Sequence, residues 1–323
     1  MTQTFEKMSR QQAIDRYRPF VPSLDSQPKS QLESELRENG IAEVVLDTPV
    51  DAYQLISDQY DICMNEHPEW LNWTAGSFDK VGVPEDGHVR KELSINLAGM
   101  QISDPKVIFH FNDTLRKKWY RMQQKTPPEF KDYMEHGFYL QSDLARSAAN
   151  IMDILDESYR GIKHLYFPSE LGSITFRLLR YDGYDTHDGE GKLIVDNGAQ
   201  IAKPHYDRGG ATIQAYASAP GFWRQLEGRH GAAHPKLYPP HGVGMSQFFF
   251  GAANRVVYGS KNNPIKPLYH CVDRIISDGA QNIPDYVPPR TAAIGFIDMP
   301  GVDLKITSRD TQPERIDMHN LDI

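Results

Sequence analysis

The stretch Lys203-Pro-His-Tyr-Asp-Arg-Gly-Gly-Ala-Thr-Ile-Gln214 sets the reading of the whole chain. Its second half leads into Ala211-Thr-Ile-Gln-Ala-Tyr216, which reads as a strand. His205 and Asp207 are separated by one residue. In an extended chain, residues i and i+2 point to one face, so the imidazole and the carboxylate would project side by side while Tyr206 points away. Such a pair supplies two of the three ligands of a 2-His-1-carboxylate site for non-haem Fe(II). A His-x-Asp pair also arises as an ordinary solvated strand end, and the rest of the chain has to separate the two cases.

Working outward, Ser173–Tyr181 reads as a strand and Asp182–Gly191 as a turn-rich excursion. Further strands are expected at Leu193–Val195, Ser246–Phe250, Val256–Tyr258, Leu268–Ile276 and Thr291–Asp298. Short strands joined by Gly/Pro-rich loops, without alternating helices, indicate an antiparallel sandwich or jelly roll. Ahead of them, a helix is expected over Gly137–Arg160. Its residues Leu140, Leu144, Ala148, Ile151 and Leu155 form one apolar stripe, with Asp143, Arg146, Asp153 and Glu157 on the other side. Nearer the N-terminus, a helix over Lys29–Asn39 ends at Gly40, a strand covers Ile41–Leu46 and a helix covers Val50–Met64. Residues from His67 to Gly99 are irregular but carry Trp70, Trp73 and Phe78, which suits a folded loop region. The expected organisation is a mixed N-terminal region (1–136) packing on the core, a backing helix plus β core (137–306), and a polar tail (307–323).

Composition bounds the function. The 323 residues are 39% hydrophobic and 24% charged, as in a globular protein with a sizeable core. A net charge of −8, with no Lys/Arg-rich run, argues against a nucleic-acid partner. No apolar run is long enough for a transmembrane helix, and the polar N-terminus lacks a signal-like apolar region, so no membrane is expected. The only cysteines, Cys63 and Cys271, are too few for a disulfide framework and suit a reducing, cytoplasmic setting.

A facial triad needs a second histidine, expected on a different strand of the opposite sheet. Leu268-Tyr-His-Cys-Val-Asp-Arg274 offers His270 in an apolar strand context. His230 and His234 are four apart, but Gly228, Gly231 and Pro235 disfavour the helix that would make them a metal pair. His241, between Pro240 and Gly242, and His187, in the turn region, read as loop residues. Arg290 opens the last strand with a planar fork suited to a carboxylate.

These residues together resemble the Fe(II)/2-oxoglutarate-dependent dioxygenases, most of all the isopenicillin N synthase-like branch. The motifs that carry the resemblance are His205-x-Asp207, His270-x-Val272, Arg290 followed by Phe296, and Leu178-Leu-Arg-Tyr181 upstream. It extends over about residues 137–300. The resemblance implies a mainly β protein with flanking helices, built on a double-stranded β-helix of cupin-like jelly-roll type. It also implies Fe(II) held by His205, Asp207 and His270, with 2-oxoglutarate and O2 as cosubstrates and succinate and CO2 as products. Arg290 would hold the distal carboxylate of 2-oxoglutarate, and Tyr181 would bond that carboxylate or the substrate. A carboxylate at Asp207 implies hydroxylation, desaturation or ring closure rather than halogenation, on a small molecule, amino-acid-derived or a natural-product intermediate. The chain departs from the family pattern in two places. Ala292 stands where a Ser is expected, with Thr291 as the candidate replacement, and the interval from His270 to Arg290 is longer than usual, which Ser277–Pro284 could account for. Arg274, the rival anchor, lies too near the metal ligand. Arg177, Trp73, Phe222 and Trp223 are candidate substrate contacts. Two other readings stay open: an oxidase that uses O2 without 2-oxoglutarate, and a non-catalytic jelly-roll binding module.

Overall fold

The computed structural model describes residues 29–72, 87–91, 94–97, 100–103, 106–156, 162–166, 174–185, 187–192, 200–219, 222–225, 245–254, 267–273, 285–287 and 289–299. Helix α1 (Lys29–Asn39) stops at Gly40, whose φ of 71° is a conformation that a side chain disfavours. Strand β1 (Ile41–Val45) and helices α2 (Val50–Glu66) and α3 (Pro68–Asn72) follow. Then come β2 (Gly87–Lys91), β3 (Ser94–Leu97), β4 (Met100–Ser103) and β5 (Lys106–Phe111). Helix α4 (Asp113–Met122) is capped by Asn112, whose side chain accepts from the Leu115 N–H at 3.0 Å. Helices α5 (Pro128–Asp156) and α6 (Ile162–Tyr166) lead into the strand-rich half.

That half contains β6 (Ile174–Tyr181), β7 (Tyr184–Asp185), β8 (Gln200–His205), β9 (Ala211–Ala217), β10 (Phe222–Gln225), β11 (Met245–Phe250), β12 (Tyr269–Asp273), β13 (Tyr286–Val287) and β14 (Arg290–Ile297). A seven-stranded antiparallel sheet runs β1-β11-β9-β14-β6-β5-β2, and a three-stranded sheet runs β10-β12-β8. From β8 to β12 the chain steps alternately between the two sheets, which is the jelly-roll path. The protein is therefore mainly β with flanking helices. Strands β1, β2 and β5, all from before residue 137, extend the large sheet. The expected strands at Leu193–Val195 and Val256–Tyr258 lie outside the described residues.

Alternation along the strands separates two faces. Phe176, Leu178, Ile213, Phe248, Phe250 and Ala293 join one core with the helices. The opposite face carries Ile108, Leu179, Tyr181, Ala217 and Ala292. Val272 of the small sheet packs both against that cluster and against a second one formed by Ile41, Phe222, Phe249 and Leu268. The expected stripe on α5 is fully buried from Leu140 to Leu155, each large side chain contributing on the order of 2 kcal/mol.

Two features of α5 differ from expectation. It begins at Pro128 rather than Gly137, because proline suits a first helical turn and Gly137 has a packing role inside the helix. A Cβ at Gly137 would run into the Phe111 ring of β5. Asp143, expected on the solvent side, is 1% exposed, because α2 covers that flank; it accepts from Arg146 Nη2 at 2.6 Å. No helix among the described residues is long and apolar enough to cross a membrane.

Gly137→Ala is expected to destabilise the protein by about 1–3 kcal/mol in urea unfolding, overpacking outweighing the gain in helix propensity. His136, half-buried and 3.4 Å from Gln59 Oε1, has its imidazole pushed down to about 4 by burial. A histidine whose folded value lies below its unfolded value of about 6.5 costs stability as pH falls through that window. Melting temperatures should therefore decline between pH 7 and pH 4.5, and His136→Gln should make that decline shallower.

Candidate metal centre

Strand β8 ends at His205, so Tyr206 and Asp207 lie in the turn before β9. This corrects the expectation that strand alternation alone aligns the pair: β8 delivers the imidazole, and the turn returns the carboxylate. Tyr206 does face away, fully buried against Tyr269 with ring centroids 5.0 Å apart. The second histidine is also placed differently from expectation. His270 sits on β12, directly opposite His205, in the same small sheet rather than the facing one. Directly paired residues of antiparallel strands share a face, which brings the two rings to a centroid distance of 4.6 Å.

His205 Nε2 lies 3.5 Å and His270 Nε2 3.8 Å from Asp207 Oδ1. One donor atom from each residue falls within 4.8 Å of the others, a set able to hold a metal ion. The two buried donors are each oriented by a neighbour. His270 Nδ1–H donates to the Leu268 carbonyl at 3.1 Å, which leaves the Nε2 lone pair facing the cluster. Thr212 Oγ1–H donates to Asp207 Oδ2 at 2.6 Å, which leaves Oδ1 for the ion. Phe222 stacks on the His270 ring at 5.0 Å and Phe249 meets it edge-on at 5.1 Å. Burial pushes His270 down to about 4 against the pull of Asp207. Burial would raise Asp207, but His270, His205 and the Thr212 hydroxyl outweigh it and hold the carboxyl well below its usual range. The buried Asp207 and His270 thus favour the protonation states that metal binding requires.

The turn carrying Asp207 is pinned by backbone. Ala252 N–H donates to the Asp207 carbonyl at 2.7 Å, Gly251 N–H to Gly210 at 2.8 Å and Gly210 N–H to Ile297 at 2.9 Å. A Cβ on Gly251 would sit 2.8 Å from the Asp207 carbonyl oxygen, so only glycine allows this approach.

Arg290, 9% exposed, opens β14 opposite Tyr181, which is 6% exposed. Burial pushes its guanidinium down to about 10, with Tyr181 opposing. Alternation places Arg290 on the inner face with Ala292. Thr291 falls on the other face, with Ala293, where Tyr216 bonds its side chain, so it does not accompany Arg290. Arg177 on β6 also faces inward. Its Nε–H donates to His110 Nε2 at 2.6 Å, and its guanidinium lies 4.1 Å from the Phe296 ring centroid. Burial pushes it down to about 10, with Asp207, Tyr181 and Asp298 opposing. Of the other candidates, Phe222 serves the His270 ring, and of Trp223 only the backbone, opposite Cys271, is described. Trp73, His230, His234, His241 and Arg274 lie outside the described residues. His187 is 3.4 Å from Asp285 and is not a member of the cluster. Sequence reasoning missed Thr212, Phe249 and Gly251. Thr212 lay in the opening stretch, where a hydroxyl on the face of a carboxylate was the available signal.

Thr212→Val is expected to weaken metal binding about tenfold to a hundredfold, read by Fe(II) titration under anaerobic conditions, with the circular dichroism spectrum unchanged.

No protein-family model matches the chain, and no curated protein matches it by sequence. Solved structures do. A full-length Neurospora crassa protein solved in complex with alpha-KG and 5-formyluracil superposes with a TM-score of 0.59 at 12% identity, over 84% of this chain and 78% of that one. A Caulobacter crescentus protein assigned to the 2OG-Fe(II) oxygenase family gives 0.57 at 17% identity, over 84% and 81%. The rice dioxygenase for auxin oxidation gives 0.51 at 14% identity, over 87% and 80%. The chain has the jelly-roll fold of these oxygenases.

Proposed function

We propose that the protein is a non-haem Fe(II)- and 2-oxoglutarate-dependent oxygenase acting on a small molecule. The observation that carries this reading is the convergence of one donor atom each from His205, Asp207 and His270 within 4.8 Å inside a jelly roll, with the buried Asp207 and His270 each aimed by a neighbour. Two imidazoles and one carboxylate on one side of an ion suit non-haem Fe(II) and leave coordination positions open. Structures of similar fold have been solved with alpha-KG, and one with alpha-KG and thymine, which supports a keto-acid cosubstrate and a small-molecule substrate here. Iron with 2-oxoglutarate and O2 would supply the oxidising chemistry, decarboxylating the keto acid to succinate and CO2.

The chain's own residues do the rest. Thr212 fixes the Asp207 carboxylate, and Leu268, Phe222 and Phe249 fix the His270 ring. Arg290, a buried cation opposite Tyr181, would hold the distal carboxylate of the cosubstrate. Leu179, Ala217, Ala292 and Val272 keep the space between the sheets apolar, which strengthens every charge interaction there.

Alanine at His205, Asp207 or His270 should abolish iron binding and succinate formation together. Arg290→Ala should raise the Kd for 2-oxoglutarate at least about thirtyfold while iron still binds, and Arg290→Lys should recover part of the loss. Succinate quantified against O2 consumed is the decisive readout. Iron uptake with O2 consumption but no succinate would instead mark an oxidase that needs no 2-oxoglutarate, and no iron uptake would mark a binding module.

A further inference from the structure

Two cations face the interior, Arg290 buried and Arg177 half-buried, and the cosubstrate has only one distal carboxylate for them. Arg290 pairs across the sheet with Tyr181, whereas Arg177 lies four residues back along β6, opposite Ile294, about 13 Å away along the strand. Arg177 is a fixed group. Its Nε–H is committed to His110 Nε2, and its plane is held over Phe296. Phe296 is the register partner of Thr212, the residue bonded to Asp207, so the guanidinium is on the face and at the level of the metal ligands. Its two terminal amino groups make no hydrogen bond among the described residues.

A second donor waits on the same face. Gln214 is two residues beyond Thr212 on β9 and shares Ile294 as a register neighbour with Arg177. It is 4% exposed, and its Nε2 has no hydrogen-bond partner among the described residues. A buried amide donor left unmade is costly, and a half-buried guanidinium facing an apolar wall gains from an anionic partner. The nearby anions do not meet this demand. Asp207 is committed to Thr212 and the imidazoles, and Asp298 is exposed at the strand end. The surrounding surface, Leu179, Ala217, Ala292 and Ile294, is apolar.

We infer that Arg177, supported by Gln214, is the binding point for a carboxylate on the substrate, so that the substrate is a small organic acid with an apolar body. This rests on the oxygenase reading above. The planar fork of Arg177 donates to the two carboxylate oxygens, Gln214 offers a further N–H, and the apolar wall takes the remainder of the molecule. Arg290 stays with the cosubstrate.

The test uses phenylacetate and its neutral isostere phenylacetamide, titrated calorimetrically into anaerobic Fe(II)-loaded protein saturated with 2-oxoglutarate, and into the protein alone. Wild type should bind the acid at least about tenfold more tightly than the amide. Arg177→Gln should weaken acid binding about tenfold to a hundredfold and abolish the preference for acid over amide. Gln214→Leu, which removes the donor without touching the cation, should weaken acid binding about threefold to tenfold. Equal binding of acid and amide by wild type, or an acid preference that survives Arg177→Gln, overturns the proposal. So does an acid site lost in Arg290→Gln instead. If wild type takes up iron but binds no 2-oxoglutarate, the oxygenase reading fails by itself, and the acid–amide comparison on the protein alone still decides the role of Arg177.

Discussion

The carbonyl of Asp207 accepts a hydrogen bond from Ala252 at 2.7 Å, and the Gly251 N–H bonds Gly210 beside it. This junction joins the turn after β8 to the turn after β11, two segments that otherwise belong to different sheets. It depends on Gly251, where any side chain would meet the Asp207 carbonyl, and on the Tyr166 hydroxyl, which donates to the Gly210 carbonyl at 2.8 Å. With the turn fixed, Asp207 points at two histidines placed opposite each other by β8 and β12, and Thr212 bonds the carboxylate oxygen turned away from them. Without it, the carboxylate would leave the face of the sheet and the site would reduce to two imidazoles.

Burial does a second kind of work. It keeps His270 neutral and gives the interior its low polarity, while the imidazoles and Thr212 keep Asp207 ionised. The same low polarity makes the guanidinium of Arg177 expensive to hold uncompensated, because a charge taken from water is stable only when paired. A fixed cation in an apolar chamber therefore points to an anionic guest. The fold and the candidate metal centre both depend on the same separation of an apolar inner face from a helix-covered outer one.

Local signals carried a good deal of this. Gly40 marked the end of α1, the spacing of Leu140, Leu144 and Ala148 marked α5, and β6 and β14 fell within a residue of their expected bounds. The candidate trio His205, Asp207 and His270 could be named from residue types and a family likeness. Its arrangement could not. That β12 pairs with β8, bringing His270 opposite His205, is a long-range register which no local pattern encodes. Thr291 illustrates the converse: its hydroxyl looked suitable, but a one-residue step on a strand reverses the face. The strand Lys106–Phe111 passed unread because a short apolar run fits several structures until a sheet claims it. Asp143 looked like a surface charge because nothing nearby in sequence shows that α2 covers it.

The most direct measurement is the visible absorption spectrum of the Fe(II)-loaded protein titrated anaerobically with 2-oxoglutarate. A chelate of the keto acid on iron held by His205, Asp207 and His270 gives a weak charge-transfer band that saturates at about one cosubstrate per iron, as expected for a site with open positions. His270→Ala should show no band. Iron bound tightly by the wild-type protein with no band at saturating 2-oxoglutarate would contradict the site.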